Sequence, residues 1–273
     1  FCNIGFHLTQ GVDIVIASGA EVTPDAKERL ASSIASGRLF LVTSPFEDAV
    51  SMTNWMTWLA YERHGARAVF SCDPDEFWVS RTGDIGAELQ DSRHDFLSVP
   101  ALNVFVSDVG KKANYARDAR HVVVNPVDAS AGAHPLLQRA QPKVLFKTEK
   151  GSFGLSSGGH EVLAPILSRG ISAEMVVLRY PIRGWKSFVA DVLRFGESTS
   201  PSSCGCPDID LDWAALLINY EQGDLRRNFS SLLLPDSAAD EFVRRGVLMP
   251  IDAFVSRLVC SIPQGIPGTK QSR

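Results

Sequence analysis

The sequence predicts an α/β fold in which a mixed sheet is flanked by helices. Short β-branched apolar segments alternate with helix-length segments through the first half of the chain. Successive strand, helix and strand segments place parallel strands side by side, which is typical of this architecture. The composition agrees, because 45% hydrophobic and 21% charged residues over 273 positions are usual for a globular chain with a substantial core.

The first half contains three predicted strands separated by two predicted helices. Residues 12–17 form a short apolar run rich in β-branched side chains, which is typical of a buried strand. A helix begins near Pro24, a residue suited to the first turn, and Gly37 ends it. The other elements predicted in this half are a strand at 39–42, a helix at 51–64 and a strand at 66–71.

The second half is less regular. The elements predicted there are strands at 104–106, 121–124 and 175–179, and helices at 183–194, 212–220, 237–245 and 251–259. The glycine-rich segment 151–159 is interpreted as a flexible loop, since it lacks the Gly-Lys-Ser/Thr ending of a phosphate-binding loop. Residues 1–197 are predicted to form the α/β domain, residues 198–262 a C-terminal helical segment, and residues 263–273 a flexible tail.

Charge, hydropathy and cysteine content exclude several classes of protein. The formal net charge of -4 provides no basic field that would hold nucleic acid. No apolar run is long enough to span a bilayer, so no transmembrane segment is predicted. The five unevenly spaced cysteines favour a reducing, cytoplasmic location over a disulfide framework, with peripheral attachment to a membrane left open. The chain begins with Phe1, and whether native residues precede it also stays open.

An acidic cluster follows the third predicted strand. Asp73 and Asp75 are two residues apart, so on an extended chain both point to the same side. Pro74 cannot donate to a central ladder, which places the cluster at the end of the strand, where ligands of open α/β sheets bind. With Glu76 there are three carboxylates, which repel one another unless a cation or buried partners compensate. A divalent cation with oxygen ligands is the natural compensation, and an exposed acidic turn is the alternative.

Several motifs occur in a fixed order along the chain. They are Phe6-His7-Leu8, Gly11-Val12-Asp13, Ile16-Ala17, Trp55 with Thr57, and Asp73-Pro-Asp-Glu-Phe-Trp78, with thinner similarity at 143–146, 159–162 and 180–183. This combination resembles bacterial glycosyltransferase family 2 proteins, especially the branch whose metal motif is Asp-x-Asp-Glu-Phe. The similarity is good over residues 3–81.

The resemblance implies a GT-A fold and a transferase that moves a sugar from a nucleotide-sugar donor, usually with inversion. Mn²⁺ or Mg²⁺ would be the cofactor, and a saccharide, a lipid-linked molecule or a small molecule would be the acceptor. By the same resemblance, Asp73 would lie near the ribose and the metal, Asp75 would be the main metal ligand and Glu76 would orient the loop. His160 would be a further metal or diphosphate ligand, or a structural residue. The C-terminal helical segment would cover the acceptor side.

The nucleotide side departs from the family pattern. Family members have an Asp after the first visible strand and then Ser-x-Asp-Gly-Thr, whereas this chain has Gly19 followed by 22–25, Val-Thr-Pro-Asp. Met52 and Trp58 stand where a Gln and an Arg are common. Donor binding is therefore expected to be altered, and a degenerate non-catalytic protein stays open as an alternative. A sugar-nucleotide nucleotidyltransferase and a metal-dependent hydrolase are further alternatives.

Inverting transfer needs a base that takes the acceptor proton. Glu161, Asp191 and Asp108 are the candidates, and the sequence does not choose between them.

The candidates for binding the donor are Asp73, Ser18, Arg183 and Lys186. Arg183 and Lys186 are three residues apart at a predicted helix start, where they would share a face and could hold a diphosphate together with the helix amides. A solvated basic face is the alternative interpretation of this pair.

Overall fold

The computed structural model describes residues 2–18, 24–106, 119–127, 134–148, 154–163, 167–197 and 211–260. Within these ranges helices flank sheets that contain both parallel and antiparallel pairs, so the predicted mixed α/β class is confirmed. No helix among the described residues is long and apolar enough to cross a membrane. Residues 198–210 and 261–273, which include the predicted tail, lie outside the described ranges.

The six predicted helices begin and end within two residues of their predicted positions. The described helices are α1 (Cys2–Thr9), α2 (Pro24–Ala35), α3 (Ala49–His64), α4 (Ile85–Asp91), α5 (Trp185–Gly196), α6 (Trp213–Glu221), α7 (Leu225–Leu232), α8 (Asp236–Arg244) and α9 (Ile251–Cys260). Local signals explain the bounds of α3, since Asp48 accepts a hydrogen bond from the Ser51 amide and Gly65 ends the helix in the left-handed conformation. Helices α1, α4 and α7 were not predicted from the sequence.

The strands are more numerous than predicted. They are β1 (Val15–Ser18), β2 (Leu39–Val42), β3 (Ala68–Phe70), β4 (Glu76–Ser80), β5 (Phe96–Val99), β6 (Ala101–Val106), β7 (Ala119–Val123), β8 (Lys143–Lys147), β9 (Gly154–Leu155), β10 (Val162–Leu163), β11 (Arg169–Ile171), β12 (Met175–Arg179) and β13 (Leu248–Pro250). The interpretation of 151–159 as a loop is wrong for its described part, because β9 pairs with β10 and Ser157–Gly159 forms a 3₁₀ turn.

One extended segment connects the two larger sheets. One sheet has the order β11-β5-β8-β3 and another has the order β13-β7-β6-β12-β4. Strands β5 and β6 are separated only by Pro100, so a single extended segment passes from the first sheet into the second. β1 and β2 are parallel as predicted, but β3 pairs with β8 in antiparallel orientation and not with a parallel neighbour.

The sheet of β4 ends at an edge that α1 covers. The backbone of alternate residues of β4 contacts three side chains. Two of them, Asn3 and His7, belong to α1, and the third is Gln10, which follows the helix. Asn3 Nδ2 donates to the Glu76 carbonyl, the Trp78 amide donates to His7 Nε2 over 3.1 Å, and the Ser80 amide donates to Gln10 Oε1 over 3.3 Å. Because edge strands expose unpaired backbone groups, these contacts substitute for a missing neighbouring strand.

The described residues from 211 onwards belong to the same core as the sheet. Phe188 of α5 packs in one apolar cluster with Leu216 of α6, Phe229 of α7 and Val123 of β7. This C-terminal region also contains a strand, because β13 pairs with β7 before α9 begins. The C-terminal helices are therefore packed onto the α/β layers and are not a detached appendage.

Candidate functional site

The acidic loop, residues 71–75, connects β3 to β4. The amide of Glu76 donates to the Asp73 carbonyl over 3.0 Å, and the Asp73 amide donates to Glu76 Oε2 over 3.0 Å. These two reciprocal hydrogen bonds close a tight turn around Pro74. The loop therefore lies at the end of β3, where the sequence predicted it, and the Glu76 carboxylate holds its conformation.

A buried ion cluster lies beneath this loop. Glu76 is completely buried, and its Oε1 lies 2.7 Å from Nζ of Lys143 and 3.6 Å from Nε of Arg179. The same Nζ lies 3.2 Å from Oδ2 of Asp73, whose side chain is 55% exposed. Removing charges from water costs several kcal/mol for each ion, so Glu76 persists there only because two basic side chains surround it. Buried basic partners compensate this carboxylate.

Strand register explains how the buried groups meet. Arg179 of β12 is paired with Glu76 of β4 on one side and with Asn103 of β6 on the other. Paired residues on neighbouring strands point to the same face of a sheet. The three buried polar side chains therefore form a row across three strands, which Lys143 of β8 joins through its contact with Glu76.

The pKa values of Glu76 and Lys143 depend on two opposing effects, namely burial and the opposite charges nearby. Burial raises the pKa of Glu76, while Lys143 and Arg179 act in the opposite direction. Burial alone would lower the pKa of Lys143, but the carboxylates of Glu76 and Asp73 raise it above its ordinary value. Lys143 is therefore a permanent cation at neutral pH.

Asp75 is half-buried and lies beside further basic groups. Its carbonyl accepts a hydrogen bond from the Tyr180 amide over 2.9 Å, which extends the ladder of β4 and β12 by one residue. Burial raises the pKa of its carboxyl group, Arg179 and Arg183 lower it, and the nearby Asp73 raises it. The charge of Asp73 therefore acts on the carboxyl group of Asp75.

His160 reaches this region through a glycine turn. Its Nδ1 lies 2.9 Å from the Pro142 carbonyl, so Nδ1 carries the proton in the neutral ring. The Gly158 carbonyl accepts from Lys143 Nζ over 2.6 Å, and Gly159 packs so closely on Ser71 that an added Cβ would lie 2.9 Å from the Ser71 Cβ. The turn and the acidic loop are therefore adjacent.

Asp73, Asp75 and His160 offer the oxygen and nitrogen donors that Mn²⁺ or Mg²⁺ accepts. A histidine that ligates a metal usually donates its other ring N–H to a carbonyl or carboxylate, as His160 does to Pro142. Across the described ranges, however, no three histidine, cysteine, aspartate or glutamate side chains are gathered into a metal-holding group. The donor types fit a divalent cation, and the three-ligand arrangement is not assembled.

Arg183 and Lys186 do not share the first turn of a helix. Gly184 caps α5 and the helix begins at Trp185, so Arg183 lies before it and that prediction is wrong. Arg183 Nη2 lies 3.4 Å from Oδ2 of Asp191, while Lys186 is exposed. Asp191 is therefore engaged in an ion pair, and burial raises its pKa against the charge of Arg183.

Of the remaining candidates, the structure describes Glu161 and Ser18. Glu161 is exposed and lies between the 3₁₀ turn and β10, outside any strand. Ser18 ends β1, in a two-stranded sheet with β2. Asp108 and Gly19 lie outside the described residues.

Sequence reasoning missed the basic half of the cluster. Lys143 begins the run Lys-Val-Leu-Phe-Lys, and Arg179 ends the run Met-Val-Val-Leu-Arg. A charged residue at the end of an otherwise apolar strand is the signal that could have identified both. Their partner, Glu76, is 67 or more positions away in the sequence, and nothing local indicates the pairing.

Comparison with protein-family models, with curated proteins and with solved structures finds no match to this chain.

Proposed function

We propose that this chain is a metal-dependent glycosyltransferase of the GT-A type that moves a sugar from a nucleotide-sugar donor to an acceptor hydroxyl. The observation that supports it best is the acidic loop at the end of β3, where the exposed carboxylate of Asp73 lies above a buried Lys143–Glu76–Arg179 cluster. Such a cluster holds a surface carboxylate in one place at a cost in stability, which favours a functional role for the loop.

In this proposal Asp73 and Asp75 bind the metal, and His160 adds a nitrogen ligand. When bound, Mn²⁺ or Mg²⁺ would neutralise the charge that develops on the departing nucleoside diphosphate. Lys186 is exposed at the N-terminal turn of α5 and would contact phosphate oxygens there. Asp191 and Glu161 remain the described candidates for the base that takes the acceptor proton.

The second candidate is a transferase-like protein that binds a nucleotide without turnover. One observation favours it, namely that Lys143 already contacts the carboxylate of Asp73. The positive charge of Lys143 partly neutralises the Asp73 carboxylate, so the acidic loop attracts a metal ion less strongly. The two candidates differ in turnover and in metal dependence.

A thermal-shift screen of common nucleoside diphosphates with and without Mn²⁺ tests the proposal. A ligand that binds only the folded state stabilises it by about 2.7 kcal/mol at a hundred times its dissociation constant. We expect metal-dependent shifts, with several bases giving comparable shifts because the nucleotide side departs from the family pattern. Metal-independent shifts without sugar transfer would favour the second candidate, and no shift with any nucleotide would contradict both.

A further inference from the structure

We infer that Lys143 is a positioning residue that holds the acidic loop and the Gly158–His160 turn in one geometry. The inference rests on the proposed function in one respect, since it takes Asp73 and His160 as groups that face the same ligand. That Lys143 holds the loop and the turn together is a statement about the protein without any ligand.

The side chain of Lys143 is 1% exposed, and three acceptors surround its ammonium group. They are Glu76 Oε1 at 2.7 Å, the Gly158 carbonyl at 2.6 Å and Asp73 Oδ2 at 3.2 Å. The Gly158 carbonyl and Asp73 Oδ2 accept hydrogen bonds from the ammonium group, and Glu76 Oε1 is its ion-pair partner. Each acceptor belongs to a different segment, namely β4, the 3₁₀ turn and the acidic loop.

The contact with Gly158 distinguishes positioning from simple charge compensation. Arg179 also lies beside Glu76, so compensating that carboxylate does not require Lys143 to reach the turn. The residue before Lys143 supports the same turn, because the Pro142 carbonyl accepts from His160 Nδ1. Two adjacent residues at the start of β8 therefore hold both ends of the Gly158–His160 turn.

The turn also packs closely against its neighbours. Gly158 and Gly159 have φ values of 70° and 69°, a region that side chains other than glycine rarely adopt. Gly159 lies against Ser71 of the acidic loop, and Gly158 lies against the ring of His160. The position of His160 relative to Asp73 is therefore determined by Lys143 and by these close contacts.

The test removes the ammonium group of Lys143 in a background that lacks the charge of Glu76. Lys143→Met removes the ammonium group and retains much of the side-chain length, but alone it leaves the buried Glu76 without its closest cation, which destabilises the fold. The decisive pair is therefore Glu76→Gln alone and Glu76→Gln combined with Lys143→Met. Lys147→Met is the matched control, because Lys147 is on the same strand and donates to the Ser92 carbonyl over 2.6 Å.

Two quantities are measured, namely hydrogen exchange at the Gly159 amide without ligand and the affinity for Mn²⁺ alone. The Gly159 amide donates to the Ser156 carbonyl over 3.0 Å and so reports on the turn. Relative to Glu76→Gln, the double variant should exchange about 10-fold faster or more, the scale of a lost hydrogen bond to a charged group. Its affinity for Mn²⁺ should fall by about 10-fold or more, as when partners of metal ligands are lost.

The control Lys147→Met should leave both quantities unchanged. Unchanged exchange at Gly159 in the double variant would overturn the inference, and so would faster exchange with an unchanged affinity for Mn²⁺. If the wild-type chain binds no Mn²⁺, the proposed function fails separately. The exchange comparison still decides in that case whether Lys143 holds the turn to the loop.

Discussion

Glu76 is the residue that links the acidic loop to the interior of the sheet. Its Oε1 faces Lys143 and Arg179, while its Oε2 accepts from the Asp73 amide. One carboxylate thus balances buried charge and closes the turn that presents Asp73. The acids of the loop have different roles, because Glu76 is fully buried and Asp73 is largely exposed.

Asp75→Asn is expected to abolish metal-dependent nucleotide binding. The substitution removes a ligand charge without a change in volume, so the fold should persist. The expected loss in affinity for Mn²⁺ is about 100-fold or more, the upper end of what outer-shell partners contribute, and titration calorimetry would measure it. Asp73→Asn should weaken binding by less. Asp13→Asn, at an exposed aspartate, is the control, and unchanged Mn²⁺-dependent affinity in Asp75→Asn would defeat the assignment.

His160→Ala separates a ligand from a structural residue. If Nε2 binds the metal, the affinity for Mn²⁺ should fall by about 10-fold or more, and the stabilisation of the protein by Mn²⁺ should shrink correspondingly. Unfolding temperatures with and without Mn²⁺ measure this difference. An equal loss of stability in both conditions would show that His160 supports only the turn next to Pro142.

At the scale of elements, α1 completes the edge of β4 next to the site. His7 is buried and accepts from the Trp78 amide through Nε2, so the ring must be neutral. Burial lowers the pKa of His7 to about 4, against the hydrogen bond to the Asn3 carbonyl, which raises it. Protonation of His7 would place a second donor against the Trp78 N–H and detach α1 from β4.

Stability should therefore decrease in acid through His7. The unfolded chain binds a proton at His7 near its ordinary pKa of 6.5, whereas the folded chain does so only near 4. The contribution of His7 is complete above pH 6.5 and is lost as the pH falls towards 4. Over this interval it amounts to about 3 kcal/mol, since one pKa unit corresponds to about 1.4 kcal/mol.

Urea unfolding of His7→Gln at pH 7 and pH 4.5 measures this contribution. Glutamine can accept from the Trp78 amide at both pH values, so the variant should lose less stability in acid than the wild type. His64→Gln, at the end of α3, serves as the control and should keep the pH dependence of the wild type. Equal pH dependence in wild type and His7→Gln would show that α1 is not attached through this histidine.

At the scale of the whole molecule, one apolar cluster joins the C-terminal helices to the sheet. Phe188, Leu216 and Phe229 lie in it together with Val123 of β7. β13 adds a strand beside β7 from the far end of the chain. The α/β layers therefore depend on residues beyond 210 for part of their core and for one edge of their sheet.

A chain truncated after residue 197 should not fold cooperatively. It would lose β13 and every residue of the shared cluster that lies beyond 210, and it would expose the apolar face of α5. Thermal unfolding followed by circular dichroism should show no sharp transition, and the truncated chain should aggregate. A truncation after residue 260 removes only residues beyond α9 and is the matched control. Cooperative unfolding of the shorter chain near the wild-type temperature would contradict the shared core.

The sequence predicted those elements whose bounds are set by residues close to them in the chain. The strands at 39–42 and 175–179 were predicted at their observed bounds, and the bounds of α3 follow from Asp48 and Gly65 within one or two residues of the helix. It failed for α1, whose role is to cover an edge that no local pattern reveals. It also failed for Arg183, because the exact start of α5 depends on the backbone at Gly184.

By itself the sequence determined the mixed α/β class and the position of the acidic loop after a buried strand. Periodicity and the backbone restriction of Pro74 act over a few residues, and so they can be read from the chain directly. Only the tertiary structure decided what surrounds the acids. Lys143 and Arg179 meet Glu76 through strand pairing between segments far apart in the chain, and that pairing is set by the packing of the whole sheet.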